Sequence, residues 1–279
     1  MIQLLRIELY KIFKRPRTYI SFVIAAAITF VIQLAMITDG KTFMNFAMQG
    51  INEQFEIQGN IINGYFVTHI ILQSLLVHIP LLVALVAGDS LAGEANQGTL
   101  RLLLTKPISR SKLVFVKFLS SFIYTVILII WLAIVSLLLS ILIFGKGDMI
   151  NLKSETFIII LKNDVLWRYM AAFAFAVLAM TTIASMAMLL SAFADNSIGP
   201  IISTMGIVVV LAILSNLEIP LFNYIKPYLF TTHMIGWKGF FDDPVPLGAI
   251  GRSAMVLVCY TTGFIACTIF YFNRKDITS

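Results

Sequence analysis

The chain has 279 residues, of which 59% are hydrophobic and 12% are charged, and its mean hydropathy is +0.93. A soluble globular protein carries about 25% charged residues, so this composition leaves too little polar surface for a water-soluble domain and excludes a disordered or collagen-like chain. The formal charge of +6 therefore bears on membrane orientation rather than on nucleic acid. We predict an integral membrane protein whose surroundings are membrane lipid and which binds no nucleic acid.

The first 18 residues combine apolar and basic side chains with helical periodicity. Two sets lie on opposite sides of this helix: an apolar set, Ile2, Leu5, Leu9, Ile12 and Phe13, and a basic set, Arg6, Lys11, Lys14, Arg15 and Arg17. The pattern predicts an amphipathic elbow helix over residues 1–18 in the cytoplasmic interface, with the bend into the membrane at Pro16. Two interpretations stay open: a basic flank of the first span, or an elbow that also contacts a cytoplasmic partner.

Six apolar stretches are long enough, at about 20 residues, to cross a bilayer as helices. They are Tyr19–Thr38, Tyr65–Gly88, Phe118–Phe144, Tyr169–Phe193, Gly199–Ile219 and Gly251–Phe272. The apolar runs are continuous rather than alternating, so membrane-spanning strands are not expected. The predicted fold is an all-α integral membrane protein with a six-helix transmembrane domain over residues 19–272 and a tail over residues 273–279.

The distribution of Lys and Arg gives the orientation. An even number of crossings places both termini on one side, and twelve of the 20 Lys and Arg residues lie on that side. Cytoplasmic loops carry the excess of cations, so both termini are predicted to be cytoplasmic in a multi-pass protein.

The connection between the second and third spans, residues 88–117, is the most informative part of the sequence. Gly93 and Gly98 permit sharp changes of backbone direction, and Ser109 is suited to cap the following helix. Between them Thr99–Thr105 has the pattern of a short helix with an exposed run of leucines. Such a run on an aqueous loop needs a cover, which lipid, the protein's own bundle or a groove of a partner could provide.

The stretch from Glu94 through Gly98-Thr99-Leu100-Arg101 to Ser109-Arg110 resembles the coupling region of ABC-2 type permeases, the membrane subunits of ABC transporters of the NatB, NosY and bacitracin-exporter kind. The N-terminal Glu8-(x)2-Lys11-(x)3-Arg15 pattern, the basic ending at residues 272–276 and the six-span layout are similar to the same family. The resemblance covers the whole topology, and its specific motifs lie within residues 88–117.

The resemblance implies an exporter of the bacterial inner membrane that pairs with a second permease subunit, either the same or a homologous chain. A cytoplasmic coupling helix around Gln97–Leu104 would seat in a cleft of a separate ABC ATPase subunit. That subunit would hold ATP and Mg, so no cofactor is expected in this chain. The residues that would contact the ATPase are Glu94, Gln97, Gly98, Thr99, Leu100, Arg101, Leu102, Leu103, Leu104, Pro107 and Arg110.

The sequence carries no recognisable motor or hydrolase. The nearest approach to a phosphate-binding loop runs from Gly93 to Gly98, but Thr99 follows where a lysine must reach the phosphates. The His-Glu-x-x-His and Gly-x-Ser-x-Gly patterns are also absent from the sequence. We therefore predict a transport subunit, not an enzyme, with no catalytic or metal-binding residues.

Polar side chains in the second span give a second candidate site, a translocation path at His69, Gln73 and His78. His69 and Gln73 are four residues apart and share one face of a helix, whereas His69 and His78 are nine apart and would point about 180° from each other on a continuous helix. The alternative interpretation is that these side chains form inter-helix hydrogen bonds that set the packing.

Two other function classes remain as alternatives. A stand-alone secondary transporter or channel would use the polar residues of the second span without an ATPase, and broken helices or repeated halves would favour it. No internal repeat is apparent between residues 1–140 and 141–279. An intramembrane hydrolase built on His69 or His78 with a serine lacks any motif.

Overall fold

A computed structural model describes residues 1–47, 62–99, 108–152, 157–217 and 219–275. Within these residues five helices are long and apolar enough to cross a membrane, and a sixth span results if one strongly bent pair of helices is counted as a single crossing. The predicted all-α membrane fold is confirmed.

The helices and strands follow each other in this order. The first part of the chain contains α1 (Ile2–Lys14), α2 (Pro16–Ala47), α3 (Gly64–Ser74), α4 (His78–Ala87), α5 (Asp89–Asn96), α6 (Arg110–Ala133), a π-helix (Ile134–Leu138) and α7 (Leu139–Phe144). The second part contains β1 (Met149–Leu152), β2 (Phe157–Ile160), α8 (Lys162–Phe193), α9 (Ile198–Asn216), α10 (Pro220–Asn223), a 3-10 helix (Lys226–Tyr228), α11 (Phe230–Met234), a second 3-10 helix (Ile235–Phe241) and α12 (Leu247–Arg274).

The bundle is built around α8, which is the most buried of the spanning helices and packs against α4, α5, α6, α9 and α12. The two ends of the bundle differ. At the end that carries both termini, here called the terminal end, Leu4 of α1, Leu91 of α5, Leu113 of α6 and Phe272 of α12 meet in one apolar cluster. The opposite end, here called the hairpin end, carries the antiparallel β1–β2 hairpin and the 3-10 helix Ile235–Phe241.

Helix α1 ends next to Pro16, where the sequence predicts the bend, and its packed face combines charged and apolar side chains. Arg15 adopts an extended conformation between α1 and α2, next to Pro16. Glu8 is the fully buried residue of α1. Most of the predicted apolar arc is half-buried (Leu5, Leu9, Ile12 and Phe13), and Ile2 is 84% exposed. The helix therefore docks through a mixed face: Glu8 has ion-pair partners there, and Leu4 and Ile12 pack against buried apolar residues.

Three spans extend beyond their predicted limits. Lys41 and Arg168 lie outside the predicted spans but belong to α2 and α8, and α12 begins at Leu247, before the predicted start at Gly251. A helix ends where its backbone hydrogen bonds end rather than where its apolar run ends, and long polar side chains reach water from the terminal turns. These extra helical turns make the three helices longer than the predicted apolar spans.

The second span is not the continuous helix predicted over Tyr65–Gly88. Its two halves, α3 and α4, are bent by 57° across residues 75–77. Pro80 explains the break, because proline has no N–H to donate and its ring clashes with the carbonyl four residues earlier, that of Leu76. Pro80 is tolerated in the first turn of a new helix, which begins at His78.

The structure confirms the predicted cap at Ser109 and the predicted change of direction at Gly98, whereas Gly93 has a different role. The Ser109 Oγ accepts a hydrogen bond from the Lys112 N–H at 3.4 Å and caps α6, and Gly98 adopts a left-handed φ of 68° just after α5. Gly93, in contrast, lies inside α5. A Cβ at this position would overlap the carboxylate of Asp89, so glycine is needed for close approach rather than for a turn.

Candidate coupling site and broken second span

Four buried or half-buried charges meet at the terminal end of the bundle, and we call them the ionic cluster: Glu8, Lys11, Glu94 and Lys117. The Lys117 Nζ lies 2.8 Å from Glu8 Oε2 and 2.9 Å from Glu94 Oε1, and the Lys11 Nζ lies 2.9 Å from Glu8 Oε1 and 2.8 Å from Glu94 Oε1. Glu8, Glu94 and Lys117 are 4%, 3% and 1% exposed. Each lysine thus bridges both carboxylates, which joins α1, α5 and α6.

Helical spacing brings these groups together. Glu8, Lys11 and Arg15 lie three and four residues apart at the end of α1, so they share one face of the helix. Glu94 lies in the last turn of α5, and Lys117 lies near the start of α6, on the two sides of the connection between the second and third spans. The two helices that flank this connection are therefore joined by an ion pair.

A second charged group fixes the opposite end of α5. The Asp89 carboxylate pairs with Arg15 and with Arg17, whose Nη1 lies 2.7 Å from Asp89 Oδ1, and it accepts a hydrogen bond from the Ser197 hydroxyl. Asp89 is the first residue of α5, where a negative charge is favoured by the helix dipole. Ser197 precedes α9, so Asp89 connects the elbow to the turn between α8 and α9.

The ring of contacts around α5 is completed by α8. The backbone N–H groups of Leu91 and Ala92 donate to the Ser191 hydroxyl at 3.2 and 2.8 Å. Since the first N–H groups of a helix have no partner within the helix, Ser191 satisfies donors that would otherwise be buried and unpaired. Helix α5 is thus held by α1, α6, α8 and the turn before α9.

The pKa values of two members of the ionic cluster reflect the balance between burial and pairing. Burial raises the pKa of Glu8, but the neighbouring ammonium groups of Lys117 and Lys11 outweigh that effect and bring the pKa below its ordinary value of 4.5. Burial lowers the pKa of Lys11, but its hydrogen bonds to Glu8 and Glu94 outweigh it and bring the pKa above 10.5. Both groups are therefore charged at neutral pH.

The residues predicted to contact an ATPase do not share one environment. Glu94 faces the ionic cluster, and the Arg110 guanidinium donates to the backbone oxygens of Phe272, Asn273 and Lys275 at 3.2, 3.3 and 2.7 Å, where it caps the end of α12. These two side chains are engaged within the chain, so any effect of theirs on a partner is indirect.

The rest of the predicted set lies at or beyond the end of α5. Gln97 and Gly98 are exposed and follow α5 directly, and Thr99 is helical and half-buried, with its hydroxyl 3.3 Å from the Glu94 carbonyl oxygen. The remaining predicted contacts lie outside the described residues: Leu100, Arg101, Leu102, Leu103, Leu104 and Pro107. Their contact with an ATPase stays a prediction.

The sequence analysis did not single out Lys117 or Asp89 as site residues. Lys117 was counted only as one of the cations that set the orientation, although a lysine directly before an apolar span needs an anionic partner when it is buried. The signals available in the sequence were Glu8, which is the single acidic residue of α1, and the two acidic residues of α5, Asp89 and Glu94.

The three predicted path residues of the second span are not brought together. His69 is buried against the rings of Trp237 and Phe241, at centroid distances of 5.8 and 5.0 Å. Gln73 and His78 are exposed on the outside of the bend, where the His78 Nδ1 lies 3.0 Å from the Ser74 carbonyl oxygen. The expected opposition of His69 and His78 assumed a continuous helix, and that assumption is wrong because the helix is broken between them.

The third span contains a second irregularity beside the first half of the broken span. The π-helix Ile134–Leu138 separates α6 from α7, and neighbouring spans donate to its carbonyl groups. The Gln33 Nε2 of α2 donates to the Val135 oxygen at 3.0 Å, and the Thr68 hydroxyl of α3 donates to the Ser136 oxygen at 3.0 Å. Partners of this kind allow an irregular backbone at membrane depth, and they link the first three spans.

The hairpin end is closed by the segment that precedes α12. The Arg168 Nη1 of α8 donates to the backbone oxygens of Phe240 and Asp242 at 3.1 and 2.7 Å, and the Asn151 amide of β1 donates to the Phe241 oxygen at 3.0 Å. The 3-10 helix Ile235–Phe241 thereby covers the end of α3, where Trp237 and Phe241 contact His69.

Comparison with known proteins gives the family. A family model described as ABC-2 family transporter protein matches residues 2–277, which span every described element from α1 to α12. No match was found among curated proteins.

Proposed function

Because the chain belongs to the ABC-2 family of transporter proteins and is therefore a membrane permease subunit, we propose that it works as an exporter driven by a separate ABC ATPase subunit. The ATPase, which would carry ATP and Mg, docks on the connection that leaves α5 at Gln97. Both termini lie in the cytoplasm of a bacterial cell and the protein lies in its inner membrane. The cation excess on the side of the termini supports this orientation.

The observation that carries the proposal is the ionic cluster. The connection between the second and third spans starts after α5 and ends at α6, and Glu94 and Lys117 lie close to its two ends. Separating a buried ion pair leaves an uncompensated charge and costs about 3–5 kcal/mol. A force applied to this connection by nucleotide binding would therefore move α1, α5 and α6 together rather than bend the connection alone.

A second permease subunit, either the same or a homologous chain, is proposed to face the outside of the broken span. The polar side chains of Gln73 and His78 are exposed near the middle of this span, where contact with hydrocarbon is costly. A second copy or a polar translocation path between two copies would hydrate or pair them. His69 is assigned to packing, because aromatic rings surround it.

The proposal is tested by purification of the tagged permease from native membranes, followed by identification of the proteins that accompany it. We expect an ABC ATPase to copurify with the wild type and to be lost in Leu102→Asp, which places a charge in the predicted docking run. The matched control is Lys146→Asp, an exposed position at the hairpin end, which should keep the ATPase. Absence of any ATPase, or equal retention in both variants, would overturn the coupling proposal.

A stand-alone secondary transporter or channel remains as the second candidate, and the break in the second span is the observation that favours it. Liposomes that contain only this chain discriminate between the two. An ion gradient alone should drive flux if the second candidate is right. Under the proposed function, flux requires the ATPase subunit and ATP.

A further inference from the structure

An apolar cavity lies inside the protomer, at the bend of the second span and away from the ionic cluster. Its empty space is about 570 Å³ when the open mouth is counted. The walls come from α3 and the bend, α4, α6, α8 and the segment before α12, and all of its lining side chains are apolar apart from the indole nitrogen of Trp237.

Two features of the chain create this space. The break after α3 turns α4 away by 57°. Helix α8 lines the space with three alanines that share one face, Ala172, Ala176 and Ala179, beside the larger side chains of Phe173 and Met180. On the far side, Trp237 and Met234 form a wall that is almost completely buried, and both belong to the segment that precedes α12. A bend opposite a stripe of alanines leaves a gap that a straight helix would have filled.

The position of the mouth follows from the exposure of the lining residues. Leu72, Leu76 and Ala176 are half-buried, whereas the other lining residues are buried. The opening therefore lies between the end of α3 and the middle of α8, on the outer surface of the bundle and at the depth of the bend. At this depth the surroundings of a spanning helix are hydrocarbon chains.

We infer that this cavity binds an uncharged hydrocarbon chain, such as the acyl chain of a membrane lipid or of a lipid-linked molecule, which enters between α3 and α8. The lining carries no ionisable group to pair with a charge, so a charged headgroup stays outside while the chain inserts. This inference concerns the protomer alone and does not depend on the ATPase proposal.

Trp237 provides a direct readout, because it lines the cavity and is only 7% exposed. In the single-tryptophan variant Trp131→Phe/Trp167→Phe, the remaining indole reports on the cavity, and bromine on an acyl chain quenches it only at close range. We expect quenching in nanodiscs of phospholipids brominated near the chain end. A single-tryptophan variant that keeps Trp131, which is 38% exposed, serves as the reference for ordinary lipid contact.

Matched substitutions separate insertion into the cavity from contact with surrounding lipid. Ala176→Phe fills the mouth, whereas Ala174→Phe places the same side chain on the exposed side of α8. The first should lose most of the Trp237 quenching and the second should keep it, and both should fold with an unchanged Tm.

The two sources of the chain are distinguished in parallel. Quenching by brominated phospholipid indicates an acyl chain of the bilayer, and quenching only by an added brominated long-chain alcohol indicates a free or lipid-linked ligand; both support the inference. If neither probe quenches Trp237, or if Trp237 is quenched equally in Ala176→Phe and in Ala174→Phe, the inference is wrong.

Discussion

At the terminal end of the bundle the helices are joined by buried ion pairs, whereas at the hairpin end they are joined by aromatic packing and by hydrogen bonds to backbone oxygens. Lys117 joins Glu8 and Glu94 of two other helices, while Tyr169 donates to the Tyr65 oxygen at 2.6 Å. A neutral hydrogen bond contributes only about 1 kcal/mol, whereas breaking a buried ion pair costs several times more. We therefore expect the terminal end to move as one unit and the hairpin end to open first.

The largest expected effect follows from Lys117→Met, which removes one of the two cations of the ionic cluster. Glu8 and Glu94 then share Lys11 alone, so the loss of stability should be about 3 kcal/mol or more, seen as a large drop of the Tm in detergent. Lys112→Met, at an exposed position of the same helix, should stay within about 0.5 kcal/mol of the wild type. Equal Tm values for the two variants would remove the distinction between the ends.

A smaller effect is expected at the hairpin end from Arg168→Gln. This change removes charged hydrogen bonds to the Phe240 and Asp242 oxygens and should cost about 1.5–3 kcal/mol. Losing these hydrogen bonds loosens the segment that precedes α12. A thiol-reactive label should therefore react faster with Gly239→Cys in the Arg168→Gln background than with Gly239→Cys alone. Arg252→Gln, at an exposed position of α12, serves as the control, and an equal rate in all three would contradict the assignment.

A still smaller loss of stability is expected when one neutral hydrogen bond is removed. Tyr169→Phe keeps the ring contacts but loses the donor to the Tyr65 oxygen, and we expect about 1 kcal/mol less stability. Tyr19→Phe, at an exposed site of α2, should have no measurable effect on the Tm. A drop for Tyr169→Phe as large as that for Lys117→Met would show that the hairpin end is held as firmly as the terminal end.

The pH dependence sharpens the comparison, because the stability difference between the wild type and Glu8→Gln should be present at neutral pH and shrink in acid. Pairing lowers the pKa of Glu8 below 4.5, so its contribution to stability is present above pH 4.5 and is lost as the pH falls through the lower, folded-state pKa. The Tm of Glu8→Gln should accordingly fall less than that of the wild type on acidification below pH 4.5. Parallel Tm curves for the two proteins would show that Glu8 is not stabilised as a carboxylate.

The number, order and helical nature of the spans could be predicted because apolar runs of this length fit one solution in a bilayer. The break of the second span could not, since residues 75–77 are as apolar as their neighbours and hydropathy does not report a bend. Pro80 was the available signal, but a proline near a helix start and a proline that breaks a span look alike in a sequence.

The candidate site was predicted in part. The spacing of Glu8, Lys11 and Arg15 was recognised, but the partners Glu94 and Lys117 lie 83 residues or more from α1 in the sequence. Long-range pairing of single charges leaves no periodic pattern. The cavity had no signal either, because the alanines of α8 form a space only opposite a helix that bends away.

The central claim is that a separate ATPase docks on the chain where it leaves α5. The most direct measurement is photo-crosslinking in living cells from a benzoylphenylalanine at position 97, with mass spectrometry of the crosslinked partner. The exposed position Lys146 at the hairpin end is the matched control. We predict a crosslink from position 97 to an ABC ATPase and none from position 146. A folded permease that yields no ATPase crosslink from position 97, or yields the same partner from both positions, would contradict the account.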